Sequence, residues 1–307
     1  MNDLRVLPFR RDPLAFAAAG EGAGSRFQYF DVDTVSRWFD TLAIGELPAH
    51  GSDDVRQFPA ADGKGSAETW YFITSGTAEF VQPDGRVDLV SPYDGIYLGA
   101  GTGGQLRAGS QGLQWLVLGS DGGQPSLFSA AQGRGRSTLN PAGAAQPAEV
   151  FRRALLAPRQ WPSNTVGASA KPYWFYTVDD HSKWFHSACI SCIAPGGATA
   201  LHSHIEAYEG PYESWYVVLS GTGLLRNEYE DFLFEGGPGG AFVPANTSHQ
   251  LINNGTDFLW YLTISSRGTE PLRVDTYSMP AGAERPGYLE EYNRILAARA
   301  DRGLPVP

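Results

Sequence analysis

Cysteine and basic residues are scarce in this 307-residue chain, and each scarcity excludes something. Cys189 and Cys192 are its two cysteines, too few for the disulfide framework of a small secreted domain. Their surroundings, Ala188 to Ile193, read as a buried strand ending at Pro195-Gly196-Gly197. Residues three apart on a strand face opposite sides, so the C-x-x-C spacing is expected to be structural, not redox-active. Lys and Arg number 23 against 33 Asp and Glu, a formal charge of −10. That balance argues against nucleic acid and against an anionic membrane surface, both of which draw on clustered cations. No apolar run reaches the roughly 18 residues that a membrane-spanning helix needs. Residues Met1 to Arg11 lack the apolar core of a secretory leader, and cytoplasmic residence is the default expectation.

What the chain has in quantity is glycine, 37 residues, and proline, 21, with 12% aromatics. That composition predicts a turn-rich all-β protein. The chain also contains one segment twice. Glu68-Thr69-Trp70-Tyr71 followed by Ser75-Gly76-Thr77 returns as Glu213-Ser214-Trp215-Tyr216 followed by Ser220-Gly221-Thr222. The shift of 145 persists, pairing Gly95 with Gly240, Gln105 with Gln250 and Trp115 with Trp260. At the same shift His202, His204 and His249 fall on Gln57, Pro59 and Gly104. The glutamate is present in both copies and the histidines only in the second. The expected organisation is a first barrel over residues 1–120, a linker over 121–165 and a second barrel over 166–307. A short helix is predicted over Ala148 to Leu156. A C-terminal helix opened by Pro286 is predicted to present Tyr288, Leu289, Tyr292, Ile295 and Leu296 on one face.

The second copy carries the chemistry. His202 and His204 are two apart on a predicted strand and share a face. Glu213 begins the next strand, whose alternation groups Glu213, Trp215 and Val217 on one side and Tyr216 and Val218 on the other. Pro244-Ala245-Asn246 predicts a tight turn, because Asn tolerates the left-handed conformation. His249 follows it, with Asn253 on the same face. Three neutral imidazoles and one carboxylate can converge inside a barrel on one divalent ion and leave coordination positions open.

The stretch from Gly196 to Asn253 resembles the two signature motifs of the cupin superfamily. Gly196, five residues, His202-Ser203-His204 and a glutamate ahead of an aromatic strand match the first motif. Pro244, Asn246, His249 and Asn253 match the second, with asparagine where glycine is usual. The duplication extends the resemblance to the whole chain as a bicupin: two double-stranded β-helix (jelly-roll) barrels, with the metal site kept only in the C-terminal one. One departure concerns the carboxylate. The usual count from His204 selects Glu209, whereas the repeat selects Glu213, so both stand as candidates with Glu213 preferred. Glu206 and Glu209, with Tyr208 and Tyr212, then occupy an enlarged loop suited to a substrate lid or to a solvated surface.

The resemblance implies one divalent metal ion, iron(II) favoured, with Mn, Ni, Cu and Zn as rivals. It implies an enzyme, foremost an iron(II) dioxygenase acting on a small chelating aromatic or enolic substrate. The alternatives are redox-neutral chemistry (hydrolase, lyase, decarboxylase or isomerase) with Glu206 or Glu209 as general base, or a non-catalytic ligand-binding bicupin. Trp215, Phe242 and Tyr261 are expected to wall the substrate pocket, with Tyr208, Tyr212, Asn253 and His186 as further contacts. Exposed sheet edges leave homodimerisation open.

Overall fold

The computed structural model describes residues 6–18, 24–30, 36, 39, 41–56, 68–99, 101–120, 148–161, 168–176, 185–203, 213–266 and 288–306. Nineteen strands and one C-terminal α-helix are assigned among them. In chain order the first ten strands are β1 (Leu7–Arg10), β2 (Ala17–Ala18), β3 (Arg26–Phe30), β4 (Thr41–Leu47), β5 (Ser52–Arg56), β6 (Glu68–Val81), β7 (Val87–Val90), β8 (Gly95–Leu98), β9 (Gly103–Ser120) and β10 (Glu149–Phe151). Then follow β11 (Arg159–Trp161), β12 (Lys171–Tyr176), β13 (Phe185–Ile193), β14 (Ser214–Ser220), β15 (Thr222–Arg226), β16 (Asp231–Glu235), β17 (Gly239–Val243), β18 (Gln250–Asn253), β19 (Leu259–Ser266) and the helix α1 (Tyr288–Asp301). No helix among the described residues is long and apolar enough to cross a membrane.

Two compact units emerge, and they are not simple halves of the chain. One comprises Arg11–Leu156 with Tyr176–His186, and the other Met1–Arg10, Ala157–Phe175 and Ser187–Pro307. The expected boundaries placed the first ten residues in the N-terminal barrel. Instead β1 pairs antiparallel with β17 of the C-terminal unit, from Leu7 opposite Phe242 to Arg10 opposite Gly239. The pairing covers the free hydrogen-bonding edge of β17. Tyr176, reciprocally, packs edge-on against Trp70 and Phe72 of the N-terminal unit, and its hydroxyl donates to the Tyr93 carbonyl.

In the N-terminal unit the sheet order is β10-β8-β6-β9-β4-β3-β2, with β5 on β9 and β7 on β6. The long β6 and β9 bend together at Gly76 (φ 79°) and Gly112 (φ 76°). A Cβ on Gly76 would stand 2.1 Å from the Gly112 carbonyl oxygen, so only glycine permits the approach. Tyr71, Ile73, Phe80, Ile96, Leu106, Trp115 and Val117 are among the residues that fill its core.

The C-terminal unit repeats this plan as a seven-stranded sheet, β1-β17-β14-β19-β13-β12-β11, and a three-stranded one, β16-β15-β18. The duplication reaches the irregularities. The β14–β19 register slips between Val218 and Ser220, as β6–β9 slips between Ile73 and Ser75 at the same 145-residue offset. Gly221, with φ 90°, then turns the chain as Gly76 does.

Two smaller expectations are corrected. The segment expected to be a helix from Ala148 to Leu156 is strand β10, paired with β8, followed by a single 3-10 turn at Arg153–Leu155. Helix α1 buries Tyr292 and Ile295 against Leu201, but Leu289 is 50% exposed, outside the apolar face assigned to it.

Candidate metal centre

The segment after β13 turns at Pro195-Gly196, where Gly196 has φ 74°, and then runs beside β18 without joining it as a full strand. Isolated bridges pair Ala198 with Ile252 and His202 with His249. The latter two exchange both backbone hydrogen bonds, His202 N to His249 O at 3.2 Å and His249 N to His202 O at 2.8 Å. Directly opposed residues of an antiparallel pair project to the same face. The two imidazoles accordingly stand with centroids 4.7 Å apart. The turn before His249 uses Asn246 at φ 61°, the left-handed conformation expected from its sequence.

Both rings are oriented through their own backbone. His202 Nδ1 lies 3.1 Å from the Ala200 carbonyl and His249 Nδ1 lies 3.0 Å from the Thr247 carbonyl. A carbonyl only accepts, so Nδ1 carries the proton and Nε2 keeps its lone pair. That tautomer is the one a metal-binding histidine needs, with the backbone carbonyl as the orienting partner. Helix α1 supports the same segment from behind. Glu291 accepts a hydrogen bond from the Ser203 backbone N–H at 3.0 Å, and Leu201 packs on Tyr292 and Ile295.

Strand β14 supplies the facing wall. Its alternation is as expected from sequence, but the side turned toward the imidazoles is the other one. Tyr216 and Val218 lie in the interior cluster with Val243, Ala241 and Tyr261. Tyr216 Oη donates to His249 Nε2 at 2.9 Å. Trp215 packs on Phe242, with centroids 4.9 Å apart, and on Phe9 of β1 at 5.7 Å. Trp215 and Phe242 therefore belong to the face opposite Tyr216 and do not wall the pocket proposed for them. Glu213, one residue ahead of β14, continues the ladder: its N–H donates to Ser266 Oγ and its carbonyl accepts from Ser266 N–H, both at 2.9 Å. The pleat assigns it to the Trp215 side, and its side chain is buried. Among the described residues no three His, Cys, Asp or Glu side chains gather as a metal site, so Glu213 does not join His202 and His249 there.

The remaining sequence candidates separate clearly. Tyr261 is interior, its ring stacked at 6.4 Å from that of Tyr216 and its hydroxyl donating to Tyr173 Oη at 3.1 Å. Asn253 holds the turn after β18. Its amide donates to the carbonyls of Ile193 (2.7 Å) and Asp257 (2.8 Å), and its oxygen accepts from Gly255 N–H, which clasps the β18 turn. The backbone of His186 lies in β13, but its side chain is outside the described residues. His204, Glu206, Tyr208, Glu209 and Tyr212 also lie outside the described residues.

A set of polar contacts that sequence reasoning passed over joins β13, β14 and β19. Cys189 lies 2.8 Å from Thr263 Oγ1, and Ser214 Oγ lies 3.3 Å from Ser265 Oγ. Burial pushes the Cys189 thiol up to about 12 and raises the Tyr261 and Tyr173 phenols well above their ordinary range. At neutral pH these groups are uncharged donors. Cys192, by contrast, is half-buried, and both cysteines are free thiols. The alternation along β14 groups Tyr216 with Val218 in sequence, but only the tertiary structure puts that face toward His249.

In the N-terminal barrel the position matching His249 is Gly104, and a Cβ there would stand 2.3 Å from the Phe80 ring. A phenyl ring fills the space that a side chain at position 104 would need.

The sequence matches no family model and no curated protein. Its fold, however, has many solved counterparts. Oxalate decarboxylase of Lactobacillus farciminis, in its formate complex, aligns with TM-score 0.60 at 15% identity, over 98% of this chain and 96% of that one. The putative glyoxylate-induced protein of Pseudomonas aeruginosa aligns with TM-score 0.59 at 16% identity, over 83% and 85%. A Bacillus subtilis oxalate decarboxylase, studied for its Mn(II) centres, aligns with TM-score 0.54 at 16% identity, over 85% and 75%. With the duplicated barrels and the matching bulges, this likeness gives the chain the bicupin fold.

Proposed function

We propose that the C-terminal barrel holds one divalent metal ion and acts on a small, oxygen-rich substrate, a carboxylate in the first instance. The observation that carries this reading is the paired orientation of His202 and His249, their rings 4.7 Å apart and each with Nδ1 committed to a backbone carbonyl, which leaves Nε2 as the nitrogen with the lone pair. The residues present fit a borderline-hard divalent cation: two preset imidazoles with His204 as the expected third. The carboxylate that the family motif implies falls to Glu209 in this reading, because among the described residues Glu213 does not gather with His202 and His249. When bound, the ion supplies Lewis acidity toward a substrate oxygen.

The chain's own part is orientation and exclusion of water. Tyr216, Tyr261 and Thr263 are hydrogen-bonding groups held on β14 and β19, adjacent inner strands of their sheet. Buried hydroxyl groups of this kind can stabilise negative charge on a carboxylate or enolate. The resemblance to two oxalate decarboxylases, one described by its Mn(II) centres, supports redox-neutral cleavage over the iron(II) dioxygenase first expected. A base from the Glu206 and Glu209 loop completes that reading.

The test is metal content of protein purified anaerobically without chelators, with His249→Ala alongside. About one equivalent of manganese, absent from the variant, with carbon dioxide released from small carboxylates under argon, is the expected result. Iron together with substrate-dependent oxygen uptake transfers the assignment to a dioxygenase. No stoichiometric metal after reconstitution refutes the site.

A further inference from the structure

We infer that helix α1 is the brace that fixes His202 and His249 relative to one another, with Glu291 and Arg294 as its positioning residues. Its consequence for binding rests on the proposed metal reading. The segment that carries His202 meets β18 through two isolated bridges, Ala198 with Ile252 and His202 with His249, instead of a continuous ladder. Two arms of α1 supply what the ladder does not. The N–H and C=O of His202 both turn to His249, so in an extended chain the Ser203 N–H points away from β18. Glu291 Oε1 accepts it at 3.0 Å. Leu201, on the other side of His202, packs on Tyr292 and Ile295. Ala200, whose carbonyl lies 3.1 Å from His202 Nδ1, packs against the same cluster.

The second arm works from the other edge of β18. Strand β15 pairs with β18 as far as Arg226 opposite Gln250, and the Glu228 N–H extends that pairing by donating to Ser248 Oγ at 2.9 Å. Arg294 lies one turn from Glu291 on α1, on the same side of the helix, and bonds Glu228 Oε2 at 3.0 Å. The turn that carries Glu228 is anchored to the same helix by the buried Arg299, which donates to the Asn227 carbonyl and pairs with Asp231. Ser248 sits between His249 and Thr247, whose carbonyl lies 3.0 Å from His249 Nδ1. One helix thus holds the residue after His202 and, through Glu228, the residue before His249. Neither arm touches an imidazole, so the brace sets where the rings stand and leaves their Nε2 atoms out of its contacts.

The experiment follows each ring separately in the full chain, stripped of metal and carrying isotope-labelled histidine. Long-range proton–nitrogen NMR correlations report the tautomer of each imidazole. The wild type is expected to show the proton on Nδ1 at both His202 and His249. Glu291→Ala should mix the tautomers of His202 and leave His249 unchanged, and Arg294→Met should do the reverse. Glu291→Gln keeps an accepting oxygen for Ser203 and should restore the wild-type His202 signals. Titrated Mn(II) affinity should fall on the order of 10–100-fold in Glu291→Ala. The fall should be smaller in Arg294→Met, whose ion pair is more than half exposed on the arginine side, and absent in Glu291→Gln. A general loss of stability would disturb both rings together. Signals unchanged in both variants, or disturbed at both rings in each, therefore overturn the brace and leave the metal reading standing. A wild type that binds no Mn(II) overturns the metal reading and, with it, the consequence drawn for binding.

Discussion

Lys171→Met is expected to change the pH dependence of stability in a way that isolates one buried charge. Lys171 opens β12 with 2% of its surface exposed. Its Nζ donates to the Ser169 carbonyl at 3.1 Å and lies 5.7 Å from the Tyr173 ring centroid. Burial lowers its ammonium from the ordinary 10.5 to about 8. Below pH 8 the lysine is charged in both folded and unfolded chains, and the folded state bears the whole desolvation cost. Between about 8 and 10.5 the unfolded chain keeps the proton that the folded chain has released, so stability rises with pH. Above 10.5 both are neutral and the cost is gone. The difference between 8 and 10.5 corresponds to about 3 kcal/mol. At neutral pH the methionine variant escapes that cost but forfeits the hydrogen bond to Ser169, worth about 1.5–3 kcal/mol for a charged donor, so its net change there is small. The informative quantity is how the difference between variant and wild type moves with pH. Urea unfolding followed by tryptophan fluorescence, from neutral pH to above 10.5, should show the variant losing about 3 kcal/mol relative to wild type at unchanged m-value. A difference that stays flat across that range refutes the buried-ammonium account.

Gly45→Ala is expected to destabilise the N-terminal barrel by about 1–3 kcal/mol, read by thermal melting, because its Cβ would lie 2.3 Å from the buried Trp115 ring. Arg299→Met should cost about 3–5 kcal/mol. The Arg299 guanidinium is buried, bonds Asp231 at 3.0 Å and donates to the carbonyls of Asn227 and Pro305. Hydrogen exchange in that variant should rise in α1 and, through Leu201 and Glu291, at Ser203. Cys189, with its thiol at about 12 against an ordinary 9, holds roughly a thousandfold less thiolate at mildly alkaline pH. Alkylation of Cys189 should therefore require unfolding, as peptide mapping with and without denaturant would reveal.

Much of the fold was readable because duplication leaves identities at constant offset. Glu-x-Trp-Tyr and Ser-Gly-Thr recur at 145 residues, and the structure carries that offset into the bulges at Ile73/Ser75 and Val218/Ser220. The His202 and His249 pairing was readable too, since Gly196 and Asn246 announce the left-handed turns that aim the two segments. The alternation along β14 was likewise legible, but not which of its two faces is inside.

Local pattern thus determined the duplicated all-β architecture, the turns, and the two histidines that face each other. Tertiary structure decided what local pattern does not encode. Side chains on a strand have a period of two, so both faces of an all-apolar strand such as Trp215-Tyr216-Val217-Val218 look alike until neighbouring strands bury one of them. Packing against Phe9 and Phe242 claimed Trp215 for one face and turned Tyr216 toward His249. Phe9 itself arrives on β1, more than 200 residues distant in sequence, and pairing at that range leaves no trace in local periodicity.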